Sequence, residues 1–430
     1  MKILNFPERA LWSEISSRPS KSKDLVTRRV SDIITRVKEG GDAALKDMTL
    51  KYDGAVTDSF FVTQDEFESA RAVAGDDLKG AIDLAISNIT KFHKAQTEKN
   101  VEIETQTGVF CYQRSLPLKR IGLYIPGGSA PLFSTILMLV IPAKIAGCKE
   151  IALFTPPDKN GSLSPAILYV AQLLGINEVV KAGGAQAIAA MAFGTESIKR
   201  VDKIFGPGNR FVAEAKLQVS SSVSIDMVAG PSELMIIADE SANPSFIAAD
   251  LLSQAEHGPD SQLFLLTDKR ELADEVMMQL SVQMDALPRQ RIVAESLLNS
   301  KIVLLKDEDE MVDFANLYGA EHLMISTVDP WRVANRIESA GSIFLGNFSP
   351  ESAGDYASGT NHSLPTDGWT RSVSGVSVDS FLHKISYQEI TKSGLQGIGL
   401  SVEIMAEAEG LFAHKNAVTI RLKEFKNGLQ

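Results

Sequence analysis

A short apolar run, a glycine turn and a helical stretch recur between residues 120 and 210, and this recurrence restricts the fold more than any other feature. Arg120 to Ile125 reads as a buried strand, followed by Pro126-Gly127-Gly128 and a helical run. Glu150 to Phe154 repeats the strand, and a helix follows from about Ser164 to Leu174. A strand near Val179 enters Gly183-Gly184 and a helix of small residues, and Val201 to Phe205 enters Gly206-Pro207-Gly208 and another helix. Alternation of this kind builds a parallel sheet with helices on both faces.

A second series follows: Leu234 to Ile237, Leu263 to Leu266, Ile302 to Leu305, His322 to Ile325 and Ile343 to Leu345, with helices between. The N-terminal third reads as helical. Val26, Val30, Ile33, Ile34 and Val37 form one stripe that Gly40-Gly41 ends, and Ile82, Ile86 and Ile89 form a second with His93 on its face. The expected fold class is therefore α/β, with two doubly wound, incomplete Rossmann-like domains and a small, mostly helical C-terminal dimerisation segment. The expected boundaries are an arm over 1–20, a discontinuous domain of 21–123 with 236–375, a second domain over 124–235 and the C-terminal segment 376–430. That last segment is too small for its own core and should dock on something else, such as a partner subunit.

A chain of 430 residues exceeds one ordinary core, which favours two or more domains. Its net charge of -11 disfavours a broad nucleic-acid or anionic-membrane surface, where cations must outnumber acids. Two cysteines, Cys111 and Cys148, give neither a CxxC pair nor a disulfide framework. Glu8 and Arg9 precede any apolar run of signal-peptide length, and the most apolar stretch, Ile136 to Ile141, ends at Pro142 and Lys144. A reduced, cytoplasmic setting is expected.

Six histidines are few enough to weigh singly. His93 and His383 stand apart from acids and turns and read as structural. Gln254 and His257 are three residues apart at the end of a helical run that Gly258-Pro259 stops, so they share a face at an element end. They cap a surface helix or line a site; glutamine is an uncommon zinc ligand. Glu321 and His322 place a carboxylate beside an imidazole, the groups that proton removal from an alcohol or water needs. Asn347 to Pro365 reads as a long loop holding Glu351, Asp355, Tyr356 and His362, and such loops in compact domains are usually functional. In EAEGLFAHKN, Glu409 and His414 would lie about 140° apart on one helix, so either the helix breaks near Gly410 or they meet a site from different sides. The glycine turns could admit phosphates at helix N-termini, although no GxGxxG follows any of these strands.

Together the stretches RIGLYIPGGSAPLFST, GGAQAIAAMAFGT, FGPGN, AGPSE, LLSQAEHGPDSQ, YGAEHL, GSIFLGNFSPESAGDYASGTNH and AHKNAVT, in order from 120 to 419, closely resemble the histidinol dehydrogenase family. The resemblance implies a homodimer that oxidises L-histidinol to L-histidine through an enzyme-held aldehyde, with two NAD and one zinc ion per subunit. It implies zinc ligands Gln254, His257, Asp355 and His414, and Glu321 and His322 as the acid/base pair. It also implies that Ser232, His362 and Glu409 touch substrate, as do His322 and the zinc ligands, and that Tyr124, Gln186 and Asn209 contact NAD. Glu409 and His414 would reach the site of the other subunit. A zinc and NAD enzyme for another small polyol or sulfonated alcohol, or a zinc hydrolase that never binds NAD, are the alternatives.

Overall fold

The computed structural model describes residues 1–427 except 19–22, 58, 74, 98–99, 128–130 and 228–229. The glycine pair expected to follow the first strand is thus described only at Gly127. The chain divides into two compact units: residues 1–96 with 118–380, and residues 97–117 with 381–430.

In the first unit, a six-stranded sheet runs in the order Lys2–Asn5, Lys301–Leu304, Gln262–Thr267, Glu233–Ala238, Ala320–Ser326, Ala340–Leu345. All of its pairings are parallel. Alternate side chains enter opposite cores, as a pleated strand requires. Leu234, Ile236, Leu263, Leu265 and Ile302 pack beneath the helices Pro244–Ala255 and Arg270–Met284. Met235, Ile237, Phe264, Leu266 and Leu323 meet Trp12, Phe314 and Tyr318 on the other face. With both faces covered, a Leu or Ile cut to Ala here costs about 2–5 kcal/mol. The strand order reverses between Glu233–Ala238 and Ala320–Ser326, which makes that boundary the sheet's switch point.

The same unit contains a five-stranded parallel sheet: Glu178–Lys181, Glu150–Thr155, Arg120–Tyr124, Lys203–Phe205, Ser224–Ile225. Its order reverses between Arg120–Tyr124 and Lys203–Phe205. The helical segment Lys23–Asp53 is broken at Gly41, whose φ of 51° and ψ of -135° fit no helix, where the sequence marked a stop. A new helix starts at once, and the Asp42 N–H donates to Glu196 at 2.7 Å. Residues 21–123 were expected beside the six-stranded sheet, but Val30, Ile33, Val37, Leu45 and Met48 pack on the five-stranded one. Their bulk meets Ala185, Ala189 and Ala192 of Gly184–Phe193, small side chains that admit a close second helix.

In the second unit, Val109–Pro117 pairs antiparallel with both Val101–Gln106 and Leu382–Ile390. The helices Lys392–Ala408 and Phe412–Asn427 follow. The C-terminal segment is mostly helical, as expected, but the strand Leu382–Ile390 precedes its two long helices. No described helix is long and apolar enough to cross a membrane.

Candidate active site

At the switch point of the six-stranded sheet, two strands carry polar residues at their amino ends. Glu233 opens one, and Glu321 and His322 are the second and third residues of its neighbour. The His322 Nδ1 lies 3.1 Å from the Glu233 carbonyl oxygen, and the Glu233 N–H donates to Glu321 Oε2 at 2.9 Å. One residue's backbone therefore seats both groups. A proton on Nδ1 leaves Nε2 with its lone pair bare. Burial pushes the His322 imidazole down to about 4 and raises the Glu321 carboxyl well above the usual carboxylate range, the Glu233 N–H opposing.

The segment that supplies the remaining groups corrects the sequence reading. Glu351–Tyr356, expected within a structureless loop, is a short helix that starts after Pro350. Glu351 and Asp355 thereby share one face. His322, Glu351 and Asp355 each offer one ligand atom, and the three atoms lie within 4.8 Å of one another. Burial, then the Asp355 carboxylate, drives the Glu351 carboxyl far up. Gln254, near the end of the helix Pro244–Ala255, bears on the same carboxyl and lowers it, yet its amide closes no regular hydrogen bond.

Among the described residues, Gln254 Oε1 and Nε2, His322 Nε2 and Glu351 Oε1 are buried without a hydrogen-bond partner. Such orphans are rare, and their grouping points to something they all bind. An imidazole, an amide oxygen and two carboxylates suit a divalent cation of the zinc or manganese type. His362 borders the group, with Nδ1 at 3.0 Å from the Asp355 carbonyl oxygen.

The sequence-predicted residues separate accordingly. Gln254, Asp355, His322, Glu321 and His362 come together in the first unit. His257 is exposed, yet close enough that its charge would lower both His322 and His362. Ser232 is half-buried at the entry to the Glu233 strand. Glu409 and His414 are exposed residues of the second unit, and the helix does break between them, at Gly410 with φ of 73°. Sequence reading gave no role to Glu351, Glu233 or Arg18. The four-residue spacing of Glu351 and Asp355 was the one available signal.

Tyr124, Gln186 and Asn209 belong to the carboxyl ends of the five-stranded sheet, where open α/β sheets bind ligands. Tyr124 closes its strand at the switch point, and its hydroxyl accepts the Gly184 N–H at 3.0 Å. The Gln186 amide reaches toward Asp53 at 3.4 Å, and the Asn209 side chain caps Arg210–Val219 by accepting the Phe211 and Val212 N–H groups. All three side chains shape the glycine turns. At Gly206, with φ of 116°, a Cβ would stand 2.0 Å from the Tyr124 carbonyl oxygen, so only glycine fits there.

A profile of the histidinol dehydrogenase family matches residues 16–422. The chain belongs to the histidinol dehydrogenase family. Histidinol dehydrogenase from Bacteroides fragilis is 53% identical over 427 residues, covering 99% of this chain and all of that one. The Salmonella typhimurium histidinol dehydrogenase is 50% identical over 95% of this chain and 94% of its own. A crystal structure of histidinol dehydrogenase from Elizabethkingia anophelis, 50% identical, superposes with a TM-score of 0.96 over 99% of both chains. The α/β architecture read from the sequence is that of histidinol dehydrogenase, and membership makes the chain an oxidoreductase.

Proposed function

We propose that this chain oxidises L-histidinol to L-histidine through L-histidinal, using two NAD in succession and one zinc ion per subunit, in histidine biosynthesis in the cytoplasm. The observation that carries the proposal is the set of buried polar atoms of Gln254 and Glu351 without hydrogen-bond partners, beside the pair Glu321 and His322 seated by one backbone residue. Gln254, His257 and Asp355, with His414 of the partner subunit, would hold the metal, and Glu351 would complete its charge balance. When bound, zinc supplies orientation and acidity to the substrate and NAD supplies the hydride acceptor.

The chain's own residues do the rest. His322 Nε2, with Nδ1 anchored, takes the hydroxyl proton as hydride leaves the carbon. Glu321 then draws a proton from the water that adds to the aldehyde. Ser232, His362 and Glu409 would grip the imidazole and amine, while Tyr124, Gln186 and Asn209 would shape the nucleotide end. Metal and substrate would thus sit with the six-stranded sheet and NAD with the five-stranded one.

A homodimer is part of the proposal. In the second unit Leu400, Ile404, Met405 and Phe412 are 66%, 58%, 65% and 63% exposed, a run of apolar side chains that water alone would leave unfavourably wetted. A partner covering them would bring its Glu409 and His414 to a site otherwise short of two groups.

The close approach of His322 Nε2 to Glu351 Oε1, 3.7 Å, favours a second reading in which His322 is itself a metal ligand. Metal content of His322→Asn separates the two: retention supports the base, loss the ligand. The function is tested by following NAD reduction with L-histidinol beside a panel of polyols and sulfonated alcohols. Two NADH per histidinol are expected. Preference for another alcohol, or metal-dependent ester cleavage without NAD, would overturn the reading.

A further inference from the structure

The Arg18 side chain, far from any catalytic motif in sequence, reaches the switch point of the six-stranded sheet. Its Nε lies 2.5 Å from Glu233 Oε1 and its Nη2 lies 2.9 Å from Oε2, a two-pronged fit to a carboxylate that is almost wholly buried. The same Nη2 donates to the Tyr318 carbonyl at 3.0 Å, and the guanidinium lies 4.2 Å over the Tyr318 ring. Glu233 begins one site strand, and Tyr318 immediately precedes the turn into the other. The Asp367 N–H completes the set by donating to Glu233 Oε1 at 2.9 Å.

We propose that Arg18 is a positioning residue: by stapling the amino ends of the two strands through Glu233, it fixes the seat of Glu321 and His322. This rests on the acid/base roles proposed above. The Glu233 main chain touches both groups, so a shift of Glu233 moves the Glu321 carboxyl and the His322 ring together. Without its cation the buried Glu233 carboxylate cannot keep this place, because an unpaired charge there is driven to move toward water or take up a proton. Lysine cannot replace the fork, since an ammonium is a point charge without paired donors.

Arg18 is not needed merely to fasten the N-terminal arm. Trp12 is buried against Phe314, Lys301 Nζ donates to the Ile15 carbonyl at 2.7 Å, and the Gln262 amide donates to the Ser17 carbonyl at 2.9 Å. These anchors remain when Arg18 is shortened. The loss should therefore fall on turnover rather than on folding.

The test uses the full-length enzyme loaded with zinc and assayed with L-histidinol and NAD. Arg18→Ala should lose about 100-fold in kcat, the cost of a displacement near 1 Å, with both KM values within about twofold of wild type. Added guanidinium should restore its kcat saturably, since the Arg18 side chain is 22% exposed and the gap opens to solvent. Arg18→Lys should lose about tenfold, and it decides the matter if the alanine variant does not fold. Arg9→Ala, which removes a 2.8 Å pair to Asp313 on the same arm, should retain wild-type turnover. The inference is overturned if Arg18→Ala, or Arg18→Lys in its place, stays within about threefold of wild type, or if Arg9→Ala falls as far. It is also overturned if added guanidinium restores nothing. If His322→Asn and Glu321→Gln also turn over normally, the acid/base reading fails with it; if only those two are crippled, the Arg18 inference fails alone.

Discussion

Glu351 and Asp355 lie one helical turn apart, and each directs a ligand atom to within 4.8 Å of a ring nitrogen of His322. Two acids so close, one of them buried, repel each other unless one takes up a proton or a cation lies between them. Glu351→Gln should therefore act in opposite directions in two states. In chelated protein it should raise Tm, because a carboxyl that burial disfavours is gone. In zinc-loaded protein it should lower Tm and weaken zinc binding by about 10- to 100-fold. Differential scanning calorimetry with and without chelator reads both; a shift of the same sign in both states would contradict the assignment.

His322→Asn should cut alcohol oxidation by about 100- to 10,000-fold, the usual contribution of a general base. Asparagine cannot take a proton at the place of Nε2. Steady-state NAD reduction with L-histidinol checks this, and turnover near wild type would remove the residue from the chemistry.

Glu321→Gln should impair oxidation of L-histidinal more than that of L-histidinol, because only the second half needs an activated water. Glutamine can still accept the Glu233 N–H, so the seat is kept while the base is lost. Single-turnover rates for the two substrates measure the difference. Equal losses would show that the two residues do not divide the work.

Much of this arrangement was legible in the sequence, and the remainder was hidden for identifiable reasons. The apolar runs after residue 120 revealed both parallel sheets, because a strand covered on both faces must be apolar throughout. Glu321 and His322 were conspicuous as an adjacent acid and imidazole at the head of such a run. Glu351 was not, because small residues made 347–365 resemble a loop although its i, i+4 acids mark a helix face. The docking of Lys23–Asp53 on the five-stranded sheet left no local trace, since an apolar stripe declares a buried face but not its partner. Nor did the pairing of Val109–Pro117 with Leu382–Ile390, which closes across most of the chain. Arg18 gave no signal at all: its partner is 215 residues away.

Asp53, beside the turn at Gly183 and Gly184, titrates in a range that stability measurements can reach. Burial lifts the Asp53 carboxyl to about 6, against hydrogen bonds from Gly183 and Gln186 that lower it. The folded state thus binds its proton more tightly than the unfolded chain does, so stability is greatest below the unfolded value near 4 and falls as pH rises through about 6. Asp53→Asn keeps an acceptor for both donors and removes the titration. Its Tm relative to wild type should rise between pH 4.5 and 7; a constant difference across that range would show that Asp53 does not titrate there.

Metal content per subunit, measured on purified wild type, Asp355→Asn and His322→Asn, tests the central assignment most directly. One zinc per subunit is expected in wild type and in His322→Asn, with most of it lost in Asp355→Asn. Wild-type protein that takes up no divalent metal, or Asp355→Asn that holds it as tightly as wild type, would contradict the metal site built around Gln254, Glu351 and Asp355.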